Sequence, residues 1–210
     1  MAYTKNFCQP VRMESQFVAT KLHHTMVQDG SNNDIEVLDG TLVTIAPGKF
    51  VQDAVYGDRY TDAGGTAPAG IQLRVAVPTT TAAVEDVCII DLATIPTKSG
   101  QGVVIRDGNM TIGLVNPAGV QSRARMLCKY DTFAIGEANC TGALTVGQYA
   151  VPAADGKFAP SATAVTTGFC AAVVDKYIIS QGVDGDVTNG MGVQAYRLDV
   201  ANTTIKSATP

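Results

Sequence analysis

The strongest constraint in this sequence is the pattern of its second half, where short apolar or alternating runs are separated by turn-forming residues. Between residues 131 and 177, the runs 132–135, 148–151 and 169–174 are bounded by Gly, Pro, Asn or Asp. This arrangement is typical of strands that turn back on one another. At its centre, Asp155-Gly156 separates two strand-like runs, and Gly supplies the positive φ that a tight hairpin requires. The segment therefore predicts antiparallel strands that present surface loops.

The same signal occurs earlier in the chain. The runs 35–45 and 103–112 are built around Asp39-Gly40 and Asp107-Gly108, and each predicts a hairpin. Only 16% of the residues are charged and 21 are Gly, a composition that favours strands and turns over helices. We therefore predict a mainly β fold, a β-sandwich or barrel built from short antiparallel strands and hairpins. Its other strand-like runs are 71–77, 87–92, 124–130 and 193–200.

The chain divides into four segments by composition. Residues 1–34 have mixed charges without clean alternation, which indicates an extended N-terminal arm that becomes ordered against a neighbouring subunit. The alternative for this segment is a strand or short helix that packs on its own domain. Residues 35–128 and 129–202 are predicted to form two β units, and residues 203–210 a polar tail.

A short internal similarity indicates that the two β units are related. Residues 40–50 and 147–158 both begin with Gly and end in Gly-Lys-Phe, and a Gly-led strand follows each of them. A single continuous sandwich or barrel is the alternative to such a duplication.

Charge and cysteine usage exclude several classes of partner. The formal net charge of −4 and the sequence pI of about 5.0 argue against a surface that binds nucleic-acid phosphates. The N-terminus lacks the apolar region of a signal peptide, and no apolar run approaches the ~18 residues of a membrane span. We therefore expect no nucleic-acid or membrane partner and folding in a reducing cytoplasm. The five cysteines lack a C-x-x-C pair and are interpreted as buried reduced thiols: Cys8, Cys88, Cys128, Cys140 and Cys170.

The motifs of common enzymes are absent from the sequence. It contains no G-x-S-x-G elbow, phosphate-binding P-loop, G-x-G-x-x-G fingerprint or H-E-x-x-H zinc motif. The histidines are His23 and His24, and neighbours on a strand point to opposite faces, so they make a poor pair of metal ligands. We predict a protein that is not an enzyme and that has no catalytic, cofactor-binding or metal-binding residues.

Two acidic segments are candidates for a metal-binding or catalytic site. The loop that contains Asp184 and Asp186 is similar to a calcium-binding loop, but its Gly falls one place late and Ala195 occupies the position of the last acidic ligand. A solvated turn is the better interpretation. A glycosidase with a pair of carboxylates is weakly supported by Asp53, Asp58 and Asp62.

A resemblance to a known family is carried by six short segments and covers residues 35–200. The segments begin at Asp39, Asp131, Leu144, Asp155, Gly168 and Val193. They resemble the capsid decoration, or cement, proteins of tailed bacteriophages. The resemblance implies a sandwich or barrel, often a homotrimer, that binds the outer face of the major capsid protein lattice. The protein would then be made in the host bacterial cytoplasm and reside on the capsid surface of the virion.

The residues expected to contact a partner lie in the N-terminal segment and in two Gly-rich loops, 57–70 and 182–192. Arg and aromatic side chains are good interface anchors, which is the basis of the choice. Two alternatives remain at this stage: another virion component, such as a head fibre base, minor capsid or tail protein, or a carbohydrate-binding attachment module. The candidates are Phe7, Arg12, Phe17, Lys21, Asp58, Arg59, Tyr60, Asp184 and Asp186.

Overall fold

The computed structural model describes residues 6–18, 21–29, 33–51, 72–76, 87–92, 115–120, 122–181 and 191–203. Within them the protein is mainly β, as predicted. The remaining regular structure includes two 3₁₀ helices, Glu14–Gln16 and Glu137–Asn139. The predicted hairpin at Asp107-Gly108 and the loops at 57–70 and 182–190 lie outside the described residues.

The described strands are numbered in chain order. They are β1 Cys8–Arg12, β2 Leu22–Gln28, β3 Val37–Leu38, β4 Leu42–Val51, β5 Gln72–Ala76, β6 Val87–Ile90, β7 Val115–Asn116, β8 Ser122–Met126, β9 Thr132–Gly136, β10 Tyr149–Pro152, β11 Phe158–Ser161, β12 Cys170–Gln181 and β13 Met191–Asn202.

These strands form one open sheet, one closed ring and a two-stranded ladder. The open sheet has the order β1-β9-β13-β12-β10-β11, and every pairing in it is antiparallel. The ring has the order β2-β5-β4-β6-β8, and β8 pairs again with β2. Its one parallel pairing is that of β2 with β5, and β3 pairs with β7 outside both. Short antiparallel strands therefore dominate, as the sequence indicates.

One apolar core, which we call the shared core, lies between the ring and the six-stranded sheet. The ring contributes Leu42, Val87 and Ile89, which are fully buried. The sheet contributes the alternate residues of its strands, including Phe133 and Leu198. A second cluster, which includes Val43, Cys88 and Ile90 from alternating positions of the same ring strands, forms the interior of the ring. Alternation along a strand directs successive side chains to opposite faces, so single strands serve both cores.

The predicted division near residue 129 falls between the last strand of the ring and β9. All ring strands lie before it, and all strands of the open sheet except β1 lie after it. The two similar segments differ in structure, however. Residues 42–51 are one long strand, whereas 149–161 form a hairpin.

The N-terminal segment is part of the fold in its described residues, which corrects the prediction of an extended arm. β1 is a strand of the six-stranded sheet and β2 a strand of the ring. Phe7 and Met13 are buried among apolar residues. The structure has the alternative arrangement, in which the segment packs on its own domain. β1 pairs with β9 and β2 pairs with β8 within the chain.

The hairpin at Asp155-Gly156 is confirmed, but the hairpin predicted at Asp39-Gly40 is wrong. β10 and β11 pair across the first turn, where Gly156 has a φ of 73°. At the second turn Gly40 also has positive φ, yet β3 pairs with β7 and β4 pairs with β5 and β6. The backbone that follows Gly40 is already bonded to the ring, since Gly40 N donates to Ile90 O and Ile90 N to Thr41 O.

Both edges of the six-stranded sheet carry a proline. β1 and β11 are the edge strands, and they contain Pro10 and Pro160. Proline lacks the N–H that an added strand would require. On β1 the N–H of Cys8 is also occupied, because it donates to the carboxylate of Asp39. The two edges of this sheet therefore disfavour assembly by strand addition.

The aromatic centre of the shared core generates a stability prediction. Phe158 is fully buried, and its ring centroid lies 5.9 Å from that of Phe133 and 6.4 Å from that of Phe169. Phe158→Ala should lower the free energy of unfolding by about 3–5 kcal/mol, because transfer and cavity terms add. Val146→Ala, at a half-exposed position, is the control and should change it by less than ~0.5 kcal/mol. Urea unfolding followed by circular dichroism measures both, and equal effects would contradict this core.

Candidate interaction surface

The two most exposed large apolar side chains among the described residues are aromatic, and both lie on turns. Phe17 follows the first 3₁₀ helix and is 82% exposed, and Tyr130 precedes β9 and is 77% exposed. Val11 and Val18 are also exposed beside them in sequence. A large exposed aromatic side chain on a fixed backbone is a frequent feature of binding surfaces.

A buried carboxylate fastens these two turns together. Asp131 Oδ1 accepts a hydrogen bond from Glu14 N at 2.7 Å, and Oδ2 accepts one from Cys128 N at 2.8 Å. In the adjoining sheet, Arg12 lies opposite Thr132. The segments 11–18 and 128–132 are therefore neighbours, although they are far apart in sequence. We call their exposed side chains the turn surface, defined as Val11, Arg12, Phe17, Val18, Lys129 and Tyr130.

The turn that carries Tyr130 is fixed by its own backbone. Tyr130 N donates to Val200 O at 3.0 Å, Val200 N donates to Asp131 O at 2.8 Å, and Asp131 N donates to Cys128 O at 3.0 Å. Tyr130 adopts a φ of 75°, a left-handed conformation that is strained for a bulky residue and persists only where its surroundings impose it. The ring is therefore held outward, and Lys129 Nζ lies 5.3 Å from its centroid, within the range of a cation–π contact.

The turn that carries Phe17 is anchored by buried residues on either side of Glu14. Met13 is fully buried in the shared core, and Ser15 is buried beside Arg125. The N–H groups of Phe17 and Val18 both donate to Glu14 O at 2.9 Å. Since Met13 and Ser15 occupy the interior, the following turn directs Phe17 to solvent.

The polar groups beneath the turn surface are coupled to one another. Burial raises the pKa of the Cys128 thiol to about 12, and the nearby Glu14 carboxylate also raises it. Burial likewise raises the pKa of Asp131, whereas its bonds from the N–H groups of Cys128 and Glu14 lower it. The thiol thus stays protonated, and the Asp131 carboxylate has its hydrogen-bond partners within the chain.

The predicted contact residues differ in exposure and in position. Arg12 and Phe17 are exposed on the turn surface, and Lys21 is half-buried next to it, with Nζ 3.7 Å from Met126 Sδ. Phe7 is 1% exposed and packs with Ala134, Val193 and Ala195. Its selection is corrected, because a buried side chain cannot reach a partner. The candidates Asp58, Arg59, Tyr60, Asp184 and Asp186 lie outside the described residues.

Lys129 and Tyr130 were missed because residues 124–130 were predicted to be one strand. In the structure the strand ends at Met126, and residues 127–131 form a turn. The available signal was Asp131, since an Asp between two strands often accepts hydrogen bonds from nearby backbone N–H groups.

A second polar cluster is fully enclosed and joins the N-terminal strand to the ring. The carboxylate of Asp39 accepts hydrogen bonds from Cys8 N at 2.8 Å and Leu92 N at 2.7 Å. The Asn139 side chain accepts one from Phe7 N at 3.0 Å and donates one to Asp39 O at 2.7 Å. Gly40 permits this packing, since a Cβ there would lie 2.6 Å from Asn139 Nδ2.

Beside this cluster is a buried ion pair. Arg125 Nε donates to Asp91 Oδ2 at 2.5 Å, and Arg125 Nη1 donates to Ser15 O at 3.3 Å. All three side chains are buried. Catalysis needs ionisable groups that reach a substrate, whereas these groups are enclosed, and Arg125 is bonded to Asp91 and to the backbone of Ser15. The described cluster is therefore suited to holding segments together.

Neither a metal centre nor a membrane helix is found in the described part of the chain. No group of three or more His, Cys, Asp or Glu side chains there is placed to hold a metal ion. Among the same residues, no helix has the length and apolarity to cross a membrane.

No protein-family model, curated protein or solved structure matches this chain. The resemblance to capsid decoration proteins therefore stays a prediction.

The burial of Asp39 generates a prediction on pH. Burial raises the pKa of its carboxyl to about 8; the N–H groups of Leu92 and Cys8 lower the pKa, and Asp91 raises it. Between pH ~4 and ~8 the folded protein therefore retains a proton that the unfolded chain has released. The stability that this group contributes is full below pH ~4 and falls as pH rises to ~8, with a slope of at most about 1.4 kcal/mol per pH unit.

Asp39→Asn removes this titration and leaves one backbone N–H facing an amide NH₂. The variant should be less stable than the wild type at pH 5 by about 1–3 kcal/mol, and the difference should shrink and then change sign as pH approaches 9. Asp155→Asn, at an exposed carboxylate, is the matched control and should track the wild type. Urea unfolding across this pH range measures all three proteins. Parallel curves for the wild type and Asp39→Asn would contradict the assignment.

Proposed function

We propose that this chain is a capsid decoration protein of a tailed bacteriophage, which binds the outer surface of the major capsid protein lattice through the turn surface and reinforces the head. The observation that carries the proposal is the pair of exposed aromatic side chains, Phe17 and Tyr130, on turns fastened by Asp131. The buried side chains of Asp39 and Asp131 support a binding role, because they are enclosed and accept hydrogen bonds from the backbone.

The physical basis is preorganisation. Association costs free energy for every side chain and loop that must be ordered. The backbone of both turns is already fixed by hydrogen bonds and by the buried Met13, so little ordering remains. Tyr and Arg are frequent hot-spot residues in interfaces, and Phe is enriched there. A rigid aromatic surface of this kind suits a partner that is itself a rigid lattice.

Reinforcement follows from binding that spans neighbouring subunits. A shell fails when its subunits separate, and a protein that binds only the intact arrangement adds its binding free energy to the stability of that arrangement. A homotrimer would touch several subunits at once and would gain effective concentration after its first contact. The proline-bearing sheet edges disfavour assembly by strand addition, and sedimentation velocity of the isolated protein tests for the trimer.

The exposed rings also favour a second candidate, a carbohydrate-binding attachment module, because apolar sugar faces can pack on aromatic side chains. Polysaccharide from the host cell surface would then bind the isolated protein, and Phe17→Ala would weaken that binding.

The leading proposal is tested with undecorated heads of the bacteriophage that encodes the chain. The wild-type protein should sediment with the heads and raise the temperature at which they release DNA. Phe17→Ala and Tyr130→Ala should each weaken binding about 10-fold or more, as expected for hot-spot aromatics. Ile178→Ala is the matched control, since Ile178 is 69% exposed but lies on β12, outside the turn surface.

Two results would reject the proposal in different ways. Wild-type protein that neither sediments with heads nor protects them would exclude the decoration function. Binding that Ile178→Ala weakens as much as Phe17→Ala does would exclude the turn surface as its site.

A further inference from the structure

The cations of the turn surface differ from paired cations elsewhere on the described surface. Lys157 Nζ lies 3.8 Å from Asp155, and Arg197 Nη2 lies 3.8 Å from Asp175. Among the described residues, by contrast, no carboxylate forms an ion pair with Arg12 or Lys129. Both are exposed, so their charges are available to a partner.

The nearby carboxylates offset only part of this positive charge, and Lys21 attracts the charge of Asp131 and so lowers its pKa. Asp131 is buried and accepts two backbone N–H groups. Glu14 is exposed beside it in the same region. The region thus combines three cations, Arg12, Lys21 and Lys129, with two carboxylates, Glu14 and Asp131, in a chain whose formal net charge is −4.

We propose that the partner of the turn surface is an acidic protein segment that also carries apolar side chains. Its carboxylates pair with Arg12 and Lys129, and its apolar groups pack on Phe17 and Tyr130. Identifying that segment with part of the capsid shell rests on the proposed function, whereas its chemistry follows from the charges and exposed rings described above.

The geometry favours a partner that combines carboxylates with apolar side chains. Arg12 lies on an edge strand of the sheet, and its planar guanidinium matches a carboxylate with two parallel hydrogen bonds. Lys129 lies over the Tyr130 ring, so a carboxylate that reaches its ammonium brings neighbouring apolar atoms onto the same ring. Charge complementarity of this kind accelerates association and selects the partner.

A nucleic acid is the rival anionic ligand, since exposed aromatic rings can also stack on bases. The net charge of the chain is negative, and nucleic-acid surfaces usually carry a larger basic face. The observations therefore favour protein, and the experiment includes DNA as a contradicting outcome.

The first arm of the test uses head binding. Arg12→Glu and Lys129→Glu should each weaken binding by about tenfold at low salt, and raising the salt should weaken wild-type binding more than that of either variant. Lys176→Glu is the control because Lys176 is an exposed lysine on β12, away from the turn surface, and it should bind within about twofold of wild type. If heads bind all four proteins alike, the acidic-partner inference is wrong while the decoration function stands.

The second arm does not depend on heads. It uses a synthetic peptide of alternating Glu and Leu, with a Lys and Leu peptide as its control, and follows the amide NMR signals of the protein. The Glu peptide should shift the signals of Phe17 and Tyr130, the Lys peptide should not, and Lys129→Glu should abolish the effect. If the peptide binds there and heads do not, the inference stands and the proposed function fails. No shift with the Glu peptide, or a larger shift with single-stranded DNA, would overturn the inference.

Discussion

The described structure depends on the two backbone hydrogen bonds that one buried carboxyl group, that of Asp39, accepts. Asp39 lies in the interior and accepts hydrogen bonds from the backbone of β1 and from the residues after β6. A buried N–H without a partner costs free energy comparable to a lost hydrogen bond. By meeting this need, Asp39 allows the edge of the six-stranded sheet to lie against the ring. Asn139 extends the connection to Phe7 and to the second 3₁₀ helix.

The position of the turn surface is a consequence of that connection. β1 leads directly to Met13, which is buried in the shared core, and the chain then turns so that Phe17 reaches solvent. Asp131 acts in the same way beneath the turn surface, where its side chain accepts hydrogen bonds from the N–H groups of Glu14 and Cys128. Two buried acids therefore fix a segment whose mixed composition carries little local preference for strand or helix.

The features that the sequence predicts well are those encoded by neighbouring residues. The hairpin around Asp155-Gly156 needs only a tight turn and two flanking runs, and the apolar run 132–135 matches β9, which is buried on both faces. The Asp39-Gly40 turn was misread because its carboxylate serves distant backbone groups, and because β3 pairs with β7 far along the chain. The same limit explains Phe7, whose burial is created by Val193 and Ala195. No local period distinguishes it from the exposed Phe17.

The central claim is that the N-terminal segment is a fixed part of the fold and holds the turn surface in place. Amide hydrogen exchange on the isolated, full-length protein tests it most directly. The N–H groups of Cys8 and Glu14, which are bonded to Asp39 and Asp131, should exchange as slowly as those in the centre of β13, because both require the fold to open. Exchange of these two amides at the rate of an unstructured chain, while β13 stays protected, would show that the segment is a loose arm and would contradict the account.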